Sequence, residues 1–222
     1  MHPVAACALR KIPVGMSATF SCILLHVRNF SRKKLPASGA YIAEYMAAFD
    51  RVESLGLKAP QRVVVSKDCV DPERTLKVVL EYYDRHTPEE FIGQTLAINA
   101  DLIPLLWHKT RVPFEITIGF LDLAGKRYGE CSEETIRRFM SDKLVAWQRE
   151  GVPFRVWLTS PACEVIDVSF AVHPGSRTRK ECARRVIYKS PRTSQGEPIY
   201  HPVIVGEDFL YQTGVLIDLP GT

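Results

Sequence analysis

Apolar positions along the chain fall into separate blocks, some recurring about every 3.6 residues and others continuous or alternating. Ile42, Tyr45, Met46, Phe49 and Val52 share one helical face, with Ser38 placed to cap it and Gly56 to end it, so residues 39–54 read as a helix. Asp71-Pro72-Glu73 opens a second helix that runs to Arg85: the aspartate caps, the proline suits the first turn, and the glutamate sits at the positive end of the dipole. Thr87-Pro88-Glu89-Glu90 repeats that signature and opens a third helix towards Trp107, which Pro104 is expected to kink or interrupt. Ser132-Glu133-Glu134 starts a fourth, predicted to continue to Glu150 with Ile136, Phe139, Met140, Leu144 and Trp147 on one face.

The remaining apolar blocks are strand-sized. Residues 18–27 are rich in β-formers and read as a buried strand, residues 62–65 as a short one, and residues 114–123 as a strand closed by the tight turn Ala124-Gly125-Lys126. Residues 154–159 and 164–170 flank Ser160-Pro161-Ala162 and predict a β-hairpin. Residues 186–188, 203–205 and 209–211 are short strand candidates separated by Pro and Gly. The expected class is α+β, with helices packed on a mostly antiparallel sheet. With no repeat and no long linker, residues 17–222 form one expected domain. Residues 1–16 lack the apolar stretch of a signal peptide and are expected to be a disordered leader or a mis-assigned start, with Met16 as the alternative.

Composition narrows the class further. With 46% hydrophobic and 24% charged residues the chain is globular in type, and no apolar run approaches the ~20 residues that span a bilayer. The net charge of +4, from 29 basic and 25 acidic side chains, is a mild excess. Basic clusters at 28–34 and 177–185 lie in turn-rich segments and lack the interleaved aromatic residues of a nucleic-acid surface, so they read as solvated loops. Six widely spaced cysteines form no C-x-x-C pair, which argues for free thiols in a reducing, cytoplasmic setting. The six histidines show no H-x-x-x-H spacing and the glycines form no phosphate loop, so no metal and no cofactor is expected.

Residues 93–170 carry a more specific pattern. Leu102-Ile103-Pro104-Leu105-Leu106-Trp107 leads into Val112-Pro113-Phe114-Glu115-Ile116-Thr117-Ile118-Gly119-Phe120, and later come Arg155-Val156-Trp157-Leu158-Thr159 and Glu164-Val165-Ile166-Asp167-Val168-Ser169. This resembles the core of the transglutaminase-like and papain-like thiol enzymes. In those enzymes a helix carries the nucleophilic cysteine at its N-terminus, and successive strands then bring a histidine two residues before a tryptophan and an aspartate that orients the ring. Trp157 and Asp167 stand where that pattern places them. The nucleophile falls in the segment Thr95-Leu96-Ala97, which has no cysteine, and Arg155 stands at the histidine position. Arginine stays protonated and cannot act as a general base.

The resemblance therefore implies a catalytically degenerate domain, a binding or regulatory module for a protein or peptide, with Arg155, Trp157 and Thr95 at the inherited crevice. The alternative is an active thiol hydrolase or acyltransferase on amide bonds. It would use Cys131, at a predicted helix start, with His201 or His173 as base and Asp167 as its partner. Glu130, Glu133 and Glu134 around Cys131 oppose the lowered thiol pKa such a nucleophile needs. A third reading assigns anion or nucleic-acid binding to the basic loops.

Overall fold

The structure, a computed structural model, describes residues 37–62, 70–85, 95–123, 125–150, 153–168, 187–189 and 198–216. The expected leader, the strand at 18–27, the opening of the third helix, most of the strand at 62–65, both basic clusters and His173 lie outside the described residues.

The long strand predicted after Pro113 is β1 (Glu115–Leu123), and the sheet is built around it. One edge of β1 pairs with β3 (Arg155–Thr159) along its first half and with β2 (Lys126–Tyr128) along its second. Its other edge pairs with β6 (Ile199–Val205). From β3 the sheet continues through β4 (Val165–Asp167) to β5 (Ile187–Lys189), so the predicted β3–β4 hairpin is present. Every pairing among these six strands is antiparallel. The fold is α+β: an open antiparallel sheet with helices against it.

The register sorts side chains onto two faces, because directly opposed residues of an antiparallel pair point the same way. Gly119 faces Arg155, Thr117 faces Trp157, Thr159 faces Val165, and Leu121 faces Tyr200. These residues, with Asp167, share one face. Ile116, Ile118, Val156, Leu158 and Ile166 share the other, in one cluster with Leu96, Leu102 and Leu106 of α3 (Thr95–Thr110) and with Ile136 and Phe139 of α4 (Glu133–Asp142). The helix α1 (Ala37–Ser54) runs along β6, and the Arg51 guanidinium donates to the Val203 carbonyl at 3.0 Å.

Two predicted caps are in place. The Asp71 carboxylate accepts from the Arg74 amide at 3.2 Å and starts α2 (Pro72–Tyr83), and the Ser132 hydroxyl accepts from the Thr135 amide at 3.1 Å and starts α4. Ser38, expected to cap α1, lies inside it, since the helix already includes Ala37. Three further expectations are corrected. Pro104 does not interrupt α3, which runs through it with Leu102 and Leu106 fully buried on either side. Burying each leucine contributes about 1.5–3 kcal/mol, enough to offset the roughly 3 kcal/mol that an internal proline costs. The single helix predicted to Glu150 is broken at Lys143, whose φ of 50° ends α4 and starts α5 (Leu144–Glu150). Residues 209–211 lie in a short helix, α6 (Asp208–Gln212), where Phe209 and Leu210 are both buried and the Thr213 hydroxyl donates to the Phe209 carbonyl.

The close passage of β6 over β1 depends on one glycine. Ile118 pairs with Ile204 but Gly119 pairs with Pro202, so Val203 is an extra residue, a β-bulge. A Cβ at Gly119 would collide with the His201 carbonyl oxygen and lie 2.8 Å from the Trp157 ring. Pro202 sits in a strand that pairs on one side only among the described residues, where its missing N–H costs no ladder bond.

Candidate functional site

Arg155, Trp157 and Asp167 are brought to one face of the sheet, and that face is filled. Trp157 is fully buried and its indole N–H donates to the Tyr41 hydroxyl of α1 at 3.0 Å. Tyr41 hydroxyl also meets the Thr159 hydroxyl at 2.9 Å, which in turn meets that of Thr117 at 2.8 Å. Asp167 is fully buried and accepts a hydrogen bond from the Tyr200 hydroxyl at 2.9 Å. Burial, and then the Asp167 carboxylate, push the Tyr200 phenol well above its usual range, so it stays a donor. The Tyr200 ring meets Trp157 edge-on at 5.1 Å. Arg155 is half-buried, its guanidinium 5.9 Å from the Tyr128 ring.

Thr95 opens α3, and its carbonyl accepts from the Asn99 side-chain amide at 2.7 Å. The buried side of α3 packs with Ile116, Ile118 and Leu158, the face of the sheet opposite Arg155, Trp157 and Asp167. The structure therefore does not gather Thr95 with the other three.

Cys131 stands just before the α4 cap and is buried in the main core. Burial pushes its thiol up to about 12, a shift that the Arg51 charge only partly opposes. His201 has different neighbours. Its Nδ1 lies 3.0 Å from the Glu44 carboxylate of α1, and its Nε2 lies 3.2 Å from Asp122, an ion-pair distance without hydrogen-bond alignment. Its ring stacks on Phe120 at 4.6 Å, and Arg127 covers the same Phe120 ring at 4.2 Å while pairing with Asp122. Cys131, His201 and Asp167 thus each contact groups other than one another, and His201 acts as a clasp between α1 and the β1 edge. Among the described residues no group of three or more His, Cys, Asp or Glu side chains is placed to hold a metal ion.

A cleft of about 560 Å³ opens elsewhere, where the start of β1, the end of α3 and the start of α6 converge. Ile103 and Trp107 of α3, with Phe114, Pro60 and Tyr211, supply its apolar lining. The lining carries three carboxylates, Glu115, Glu207 and Asp208, against one ammonium, Lys58. Asp208 is held in place by the Lys58 backbone amide, which donates to it at 2.8 Å. Burial, reinforced by the Glu207 carboxylate, raises the Glu115 carboxyl from 4.5 to about 7. Its backbone neighbourhood is closed: Glu115 and Ile116 pair with β3 on one side, and the Gly206 amide donates to the Ile116 carbonyl at 2.8 Å on the other.

Ile103, Trp107 and residues 113–116 fall in the pattern read from the sequence, but none of the cleft residues was read as a site residue, although Glu115 left a signal. It is a charged residue at the head of a mostly apolar strand. No protein-family model matches the chain, and neither a curated protein nor a solved structure does.

Proposed function

We propose that the chain is a non-catalytic binding module on a framework of the transglutaminase-like and papain-like kind, and that its ligand sits in the cleft at the head of β1. What supports the framework is the order α3, β1, β3, β4, with Trp157 and Asp167 on adjacent strands and on one face. What supports the loss of catalysis is the packing around the expected chemistry. Asp167 is sealed under Tyr200, Arg155 replaces an imidazole, and burial raises the Cys131 thiol far from the range of a working nucleophile.

The single observation that carries the binding reading is the cleft itself. It has the size of a small-molecule site, apolar walls and a few convergent polar groups, one of them shifted to about 7. Titration with Nile red, a neutral apolar dye, tests it. One saturable site is expected, weakened several-fold by Tyr211→Ala and by Ile103→Asp. The absence of a saturable site, or dye binding indifferent to both substitutions, would refute the reading. Iodoacetamide tests the companion claim: Cys131 should remain unmodified in the folded protein at neutral pH and react on unfolding.

A further inference from the structure

We draw no further inference here: the strongest candidate, the side-chain cluster in which His201 lies between the Glu44 carboxylate of α1 and the Asp122 carboxylate of β1, adds nothing to the clasp already described, because its ion pairs are partly exposed and α1 is held against β6 by buried Tyr45, Ala48 and Phe49 packed with Val205.

Discussion

Glu115→Gln is expected to make the protein more stable at alkaline pH and to leave it unchanged in acid. Below about 4.5 the Glu115 carboxyl is protonated in both the folded and the unfolded chain and exerts no effect. Between 4.5 and about 7 the unfolded chain releases the proton while the folded chain keeps it, so stability falls as the pH rises. Above about 7 both states are ionised and the whole penalty of the buried charge stands. At about 1.36 kcal/mol per pH unit that interval corresponds to about 3 kcal/mol, and water on the open side of the cleft trims it to about 2–3 kcal/mol. Glutamine keeps the shape and removes the titration. Urea unfolding of the native chain and the variant at about pH 4.5 and about pH 8 reads the difference. The two should coincide in acid and separate by about 2–3 kcal/mol in alkali, with the variant the more stable. A separation that is the same at both ends of the range would refute the reasoning. Glu207→Gln divides the causes: burial is the larger, so this substitution should recover the smaller part of the effect.

Gly119→Ala should destabilise the chain by about 3 kcal/mol or prevent folding, because its Cβ enters the His201 carbonyl and the Trp157 ring. Gly125→Ala meets nothing within 4 Å and should cost only the left-handed backbone penalty of about 1–2 kcal/mol, as chemical denaturation of both variants will show. Thr75→Val should raise stability by about 1 kcal/mol in the same assay, since the Thr75 side chain is fully buried and its hydroxyl has no hydrogen-bond partner among the described residues. Ser132→Ala should lower the melting temperature by an amount equivalent to about 1 kcal/mol, because its hydroxyl caps α4.

Local chemistry was the legible part of the sequence. Asp71 and Ser132 cap the helices they announce, and β1, β3 and β4 lie where continuous apolar runs place them. Those signals act within a few residues, so tertiary packing had little to override. The break at Lys143 and the helix at α6 depend on where neighbouring segments bury, and a run as short as Phe209-Leu210-Tyr211 cannot distinguish a two-residue period from a 3.6-residue one. The cleft was invisible for a stronger reason. Its lining comes from residues 58–60, 103–107, 113–116 and 206–211, segments far enough apart along the chain that only the fold makes them one site. His201 behaves similarly: its nearest partner, Glu44, is 157 residues away.

The contrast between the two candidate sites turns on what a ligand would have to move. To reach Asp167 it must displace Tyr200, whose hydroxyl is the donor seen on that carboxylate, and then part Trp157 from Tyr41. Leaving a buried donor or acceptor unsatisfied costs about 1–3 kcal/mol each time, so opening that face would consume several kcal/mol before any new contact formed. The cleft at the head of β1 already stands open. In the first place a ligand must break satisfied bonds, and in the second it enters space that is already there. That asymmetry, more than the missing cysteine and histidine, is why we propose the cleft for binding and read the face that carries Trp157 and Asp167 as core.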